Sequence, residues 1–216
     1  MIVDERIITF INSLDTKNSE ILEDIEREAL ADNVPIIRRE MQSFLKVLLM
    51  VKKPMRVLEV GTAVGFSALL MSEYVPEECA ITTIENYEKR IPIARQNFVR
   101  AGKEKKITLL EGDAMDVLKT LEGPYDFIFM DAAKGQYIYY MPEVVRLLEH
   151  GGVLVSDNVL QEGDIIESRF AVERRNRTIH SRMREYLYEL KHHKLLETSI
   201  IPLGDGVALS TKIREE

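Results

Sequence analysis

The sequence predicts an α/β fold, a mostly parallel sheet with helices on both faces, and three observations carry that expectation. Short β-branched runs alternate with stretches of helical apolar spacing, the first such run passes into a glycine loop, and several runs end on a carboxylate. Five parallel strands are expected at residues 56–60 (RVLEV), 80–85 (AITTIE), 107–111 (ITLLE), 126–131 (DFIFMD) and 152–157 (GVLVSD). Between them, residues 65–75, 87–101, 114–121 and 136–148 have helical periodicity. A longer helix is expected over residues 164–190, followed by strand-like segments at 195–201 and 207–212. The tight connection Pro202-Leu203-Gly204-Asp205-Gly206 favours antiparallel pairing there, which completes a seven-stranded sheet with one antiparallel strand. Ahead of the first strand, residues 4–14, 19–32 and 38–51 read as helices, with Ser19 as a start signal and Leu45, Leu48 and Leu49 on one apolar face. The expectation is a single domain over residues 1–216, with residues 1–52 as a helical cap over the crevice at the carboxyl ends of the strands.

Composition narrows the function classes. Lys and Arg number 29 against 36 Asp and Glu, a net charge of -7, so the chain as a whole does not look like a nucleic-acid coat. The single cysteine, Cys79, excludes an intramolecular disulfide framework and a Cys-rich zinc site. The start MIVDERIITF lacks the basic and apolar regions of an export signal, and the longest apolar stretch, near LKVLLMVKKP, is short for a membrane span. A soluble cytoplasmic protein with no membrane partner is expected.

The strand ends hold the candidate chemistry. Glu59-Val-Gly61-Thr62-Ala-Val-Gly65-Phe-Ser67 joins a strand to a helix, where glycines let backbone N–H groups approach a ligand closely. A tight turn explains the same glycines. Glu85, about twenty residues on, is placed to accept both hydroxyls of a ribose, so the pair suggests an adenosine-containing cofactor. Gly112-Asp113-Ala114 would lie near its adenine, although Asp113 also suits a helix cap. The next strands end in Asp131-Ala-Ala-Lys134 and Asp157-Asn158. Neighbouring parallel strands lie about 4.8 Å apart, so two carboxylates and an amide oxygen can converge on one hard cation, Mg²⁺, Mn²⁺ or Ca²⁺. An ammonium beside such a cation is disfavoured, which suits Lys134 to proton abstraction.

Taken together, Glu59-x-Gly61-Thr62-x-x-Gly65-x-Ser67, Glu85, Gly112-Asp113-Ala114, Asp131-x-x-Lys134, Asp157-Asn158 and Gly204-Asp205-Gly206 resemble the cation-dependent class I O-methyltransferases, which include the catechol and caffeoyl-CoA enzymes. The resemblance spans roughly residues 35–212 and implies a Rossmann-like methyltransferase fold. It implies S-adenosylmethionine along Glu59, Gly61, Thr62, Gly65, Ser67, Glu85, Asp113 and Ala114, with Met41 reaching it from the cap and Asp131 facing both cofactor and metal. It also implies metal ligation by Asp131, Asp157 and Asn158, catalysis by Lys134 and Asp131, and a homodimer.

The acceptor is less directly written. Tyr137, Tyr139 and Tyr140 follow Lys134 and suit a substrate platform or a core equally. Residues 169–184 carry six Arg against one Glu, a local charge of +5. Helical spacing puts Ile179, Met183, Tyr186, Leu187 and Leu190 on one face and Arg174, Arg177 and Arg184 roughly opposite, where guanidinium forks would suit phosphate. A solvated basic face gives the same pattern, but not the sign imbalance. Together with the short N-terminus, the R-R-N-R-T segment resembles the bacterial tRNA 5-hydroxyuridine methyltransferases, whose base offers a hydroxyl beside a carbonyl much as a catechol offers two hydroxyls. That implies methylation of wobble 5-hydroxyuridine to 5-methoxyuridine, with Arg174, Arg177 and Arg184 as tRNA contacts. A small catechol-type phenol or a CoA ester is the alternative acceptor, and a non-enzymatic nucleotide-binding module the alternative class.

Overall fold

The computed structural model describes residues 2–214. In chain order the elements are α1 (Glu5–Ser13), α2 (Glu20–Ala31), α3 (Arg39–Lys52), β1 (Arg56–Val60), α4 (Phe66–Tyr74), β2 (Ala80–Glu85), α5 (Ile91–Arg100), β3 (Ile107–Glu111), α6 (Ala114–Thr120), β4 (Tyr125–Met130), α7 (Tyr137–Leu147), β5 (Leu148–Ser156), α8 (Arg177–His192), β6 (Leu196–Ile201) and β7 (Val207–Lys212). The seven strands form one sheet in the order β3-β2-β1-β4-β5-β7-β6. The antiparallel strand is β7, which pairs with both β5 and β6.

The chain divides into two compact units, residues 6–117 and residue 118 onward with the first few residues. In the N-terminal unit β2 pairs parallel with β1 and β3, in register Val57↔Ile81 and Glu85↔Glu111. Four consecutive residues of β1, from Val57 to Val60, are buried, as expected of a parallel strand covered on both faces. Both α2 and α3 pack on α4 through apolar stripes that include Leu22, Ile25, Leu45 and Leu49, whereas α1 contributes no buried residue.

In the C-terminal unit β4 pairs parallel with β5, and Phe127, Ile128, Phe129 and Met130 are all fully buried. Its first residue is Tyr125, and β5 ends at Ser156, so Asp131 and Asp157 both lie one residue past their strands. The expected helix over 164–190 is corrected: a 3₁₀ stretch at Gln161–Ile166, a second 3₁₀ turn at Arg174–Asn176 and α8 replace it. The reason lies in backbone geometry and competing partners. Glu167 and Glu173 take extended backbone, with ψ of 162° and 137°, and the Arg177 guanidinium donates to the carbonyl oxygens of Phe170 and Val172, which a continuous helix would have used internally. Among the described residues, no helix is long and apolar enough to cross a membrane.

Candidate active site

The N-terminal unit presents its candidate residues on the loop after β1. Gly61 and Gly65 have φ of 107° and 85°. A Cβ at Gly65 would lie 2.5 Å from Phe98 Cε1, so only glycine allows α4 to start against α5. Glu59, fully buried, accepts hydrogen bonds from the Ser67 and Thr83 hydroxyls, each at 2.5 Å, and Thr62 Oγ1 lies 2.5 Å from Thr83 Oγ1. The side chains of Glu59, Thr62 and Ser67 therefore fix the loop through one another, and the N–H groups of Gly61 and Thr62 donate to the Ile84 carbonyl. Glu85 does the same from the end of β2, accepting the N–H of Ala63 (2.7 Å) on one oxygen and those of Asn86 (3.0 Å) and Tyr87 (2.9 Å) on the other. The end of β3 sits beside it, since Gly112 N–H donates to the Glu85 carbonyl. Asp113 accepts the Met115 N–H at 2.8 Å, the helix-start role that its residue type also suggested, and Ala114 is buried beneath it. Met41 is buried in α3.

In the C-terminal unit the ends of β4 and β5 are clamped by a residue whose role the sequence left open. The Tyr137 hydroxyl accepts the Ala132 N–H (3.2 Å) and lies 3.1 and 3.2 Å from the carbonyl oxygens of Met130 and Asp157 as their donor. Its ring is fully buried edge-on against Tyr186, whose hydroxyl pairs with Ser156. The tyrosine run thus divides: Tyr137 and Tyr140 are core, and Tyr139 is exposed beneath the Arg182 guanidinium.

This clamp ties together the strand ends that carry Asp157, which is buried, and Asp131, which is half-buried. Burial raises the Asp131 pKa to about 6 against the opposing charge of Lys134. Burial, then the charge of Asp131, raises Asp157 to about 7, with Asp205 adding to the effect and the Asn158 N–H and Lys134 opposing it. Among the described residues no three His, Cys, Asp or Glu side chains gather as a metal centre. A set of Asp131, Asp157 and the Asn158 amide needs only two carboxylates, and two carboxyls whose proton affinity is raised fit a hard divalent cation that would offset their charge.

Asn158, Gln161 and Glu162 all take positive φ, an accumulation that persists only where the surroundings impose it. Here the Gly204-Asp205-Gly206 turn does so. Val159 and Leu160 donate their N–H groups to the carbonyl oxygens of Gly206 and Asp205, and Glu162 donates its own to Asp205 Oδ1. Lys134 Nζ stands 3.4 Å from Asp205 Oδ2. In sequence this motif reads as a tight connection and as part of the family resemblance, with no role for Asp205 itself; the signal in it is a carboxylate flanked by two glycines.

The basic segment departs from its expected arrangement. Arg174 precedes α8 and is exposed, while Arg177 is tied to the carbonyls named above and Arg184 donates to the Ile165 carbonyl at 2.7 Å. They do not form one free helix face. Met183, Tyr186, Leu187 and Leu190 form the buried stripe, Ile179 is only half-buried against Gly135, and His180 joins the buried set.

Comparison with known proteins gives this arrangement a family. The family model described as O-methyltransferase matches residues 12–213. The chain belongs to the O-methyltransferase family. Caffeoyl-CoA O-methyltransferase 2 of Populus trichocarpa is 31% identical over 185 residues, 79% of this chain and 72% of that protein. The catechol O-methyltransferase of Mycobacterium tuberculosis is 38% identical over 112 residues, 51% of each chain. Among solved structures, the SAH-bound Podospora anserina methyltransferase PaMTH1 superposes with a TM-score of 0.88 at 25% identity, covering 97% of this chain and 95% of that one. The seven-stranded sheet with one antiparallel strand is the fold of this O-methyltransferase family.

Proposed function

We propose that this O-methyltransferase uses S-adenosylmethionine and a divalent cation to methylate a hydroxyl that stands beside a second oxygen. The observation that supports it best is the cluster of Asp131, Asp157, Asn158 and Lys134 at two clamped strand ends, because adenosine recognition alone needs neither a crowded carboxyl pair nor an amine. S-adenosylmethionine supplies a methyl group on a cationic sulfur, and Asp131, Asp157 and Asn158 would hold a divalent cation, which when bound would supply Lewis acidity toward the acceptor oxygen. The chain's own residues do the rest. The Gly61–Gly65 backbone and Glu85 take the cofactor, with Glu85 accepting ribose hydroxyls beyond the N–H groups it already holds. Lys134 Nζ takes the acceptor proton as the methyl passes from sulfur to oxygen.

For the acceptor, we infer 5-hydroxyuridine at the tRNA wobble position. Arg169 and Arg174, both exposed, support it, as does the +5 charge of the 169–184 segment on a chain of net charge -7. A second reading, a small catechol or a CoA ester, is favoured by the named activities of the Populus and Mycobacterium relatives. Mass spectrometry of tRNA nucleosides from a deletion strain separates them: 5-hydroxyuridine accumulates and 5-methoxyuridine disappears under the first reading. An unchanged nucleoside profile, with turnover on free catechol or a caffeoyl-CoA-type ester, selects the second. The reading includes a cytoplasmic location and a homodimer; the exposed Ile7, Phe10 and Ile11 of α1, which buries no residue, support the dimer, and sedimentation checks it.

A further inference from the structure

Asp205 is only 4% exposed, and a carboxylate so placed needs strong partners for both oxygens. It has them from two directions. Oδ1 accepts the Glu162 N–H, and Oδ2 faces Lys134 Nζ at 3.4 Å across 71 residues of sequence. The carboxylate has little freedom to move: Gly206 has a φ of 85° and leaves no room for a Cβ against Leu160, while the carbonyl oxygens of Asp205 and Gly206 hold Leu160 and Val159. Lys134 is the opposite kind of residue, a four-carbon arm on a three-residue 3₁₀ turn with its side chain 36% exposed. Left alone, such an arm samples many rotamers. A base that works on a nucleophile is commonly oriented by a third group, which also stabilises the charge the base acquires.

We propose that Asp205 is the positioning residue of Lys134, holding its Nζ in place and stabilising the ammonium formed when Lys134 takes the acceptor proton. In that step the acceptor O–H bond breaks, an N–H bond forms on Lys134, and the methyl moves from the cofactor sulfur to the freed oxygen. The proposal rests on the methyl-transfer reading above.

The test separates this role from loop support. Asp205→Asn keeps an amide oxygen for the Glu162 N–H but presents a neutral group to Lys134. Its turnover should fall about ten- to a hundredfold, with S-adenosylhomocysteine affinity unchanged by calorimetry. In a double-mutant cycle, Asp205→Asn should cost less than about twofold more once Lys134 is already Ala. A readout independent of turnover is acylation of Lys134 by an N-hydroxysuccinimide ester, followed by peptide mass spectrometry on protein without acceptor. Freed from its carboxylate in Asp205→Asn, Lys134 should label several-fold faster, and the exposed lysines elsewhere in the chain should label unchanged. Fully additive losses, or unaltered labelling, would overturn the proposal and leave Asp205 as a loop support. Asp205→Ser gives the same comparison if the Asn variant fails to fold. A wild-type protein inactive on tRNA, catechol and CoA ester alike would sink the methyl-transfer reading, while the labelling still decides the pairing.

Discussion

The two sets of strand ends are built on opposite plans. In the N-terminal unit every acidic side chain of the loop region has hydrogen-bond donors from its own unit: Glu59 has Ser67 and Thr83, and Glu85 has three backbone N–H groups. In the C-terminal unit the Tyr137 clamp ties the ends of β4 and β5, burial raises the proton affinity of both Asp131 and Asp157, and the charge of Asp131 raises that of Asp157 further, beside a loop with three residues at positive φ. The difference teaches that carboxylates at the first set of strand ends shape their own loop, whereas those at the second stand against the opposing charge of Lys134.

The strongest way to break this contrast is at Asp157. Asp157→Ala, or chelation of divalent cations with EDTA, should abolish methyl transfer, a loss of at least about a hundredfold, while cofactor affinity stays within about twofold. Added Mg²⁺ or Mn²⁺ should restore the chelated wild type. Calorimetry and turnover on one preparation decide it, and full activity in metal-free buffer would remove the cation from the mechanism. Next in size, Lys134→Ala should lower turnover about 10²–10⁴-fold with little change in cofactor binding, and pre-steady-state turnover across pH is the measurement. Wild-type rates would return Lys134 to the surface lysines.

Glu85→Ala sharpens the comparison from the other side. It removes both a ribose acceptor and the partner of three N–H groups, so cofactor affinity should weaken about tenfold or more while turnover at saturating cofactor is largely kept. Equal affinities in calorimetry would displace the cofactor from this loop. The smallest effect expected is on stability. Asp131 and Asp157 bind protons more tightly folded, at about 6 and about 7, than unfolded, so they stabilise the metal-free fold at acid pH. That contribution is lost as pH rises from about 4 through about 7. Urea melts across that window should show the decline without metal, and a flatter profile with Mg²⁺ present.

Much of this molecule is legible in short stretches of its chain. The strands Arg56–Val60, Ala80–Glu85, Ile107–Glu111 and Val207–Lys212 lie where alternating runs of β-branched residues put them, because a run of five or six such residues carries its own preference for extended backbone. The strand-end glycines and acids were visible for the same reason: loop chemistry follows directly on a strand whose end is known. The stretch 167–173 departs from the expected helix because the helical spacing of α8 extends backwards in sequence, whereas the extended backbone of Glu167 and Glu173 and the Arg177 contacts to the Phe170 and Val172 carbonyls hold it out of the helix in ways that spacing does not encode.

By itself, then, the sequence determined the order of elements, the cofactor-type loop, the acidic strand ends and the family likeness, all properties of residues within a turn or a strand of each other. Only the tertiary structure decided which side chains are partners. It gave Arg184 to the Ile165 carbonyl, set Tyr137 as the clamp across two strand ends, and brought Asp205 to Lys134. The physical reason is range. Backbone propensity acts over a few residues, while a hydrogen bond or ion pair acts over a few ångströms, and residues 71 positions apart share that distance only after the sheet has formed.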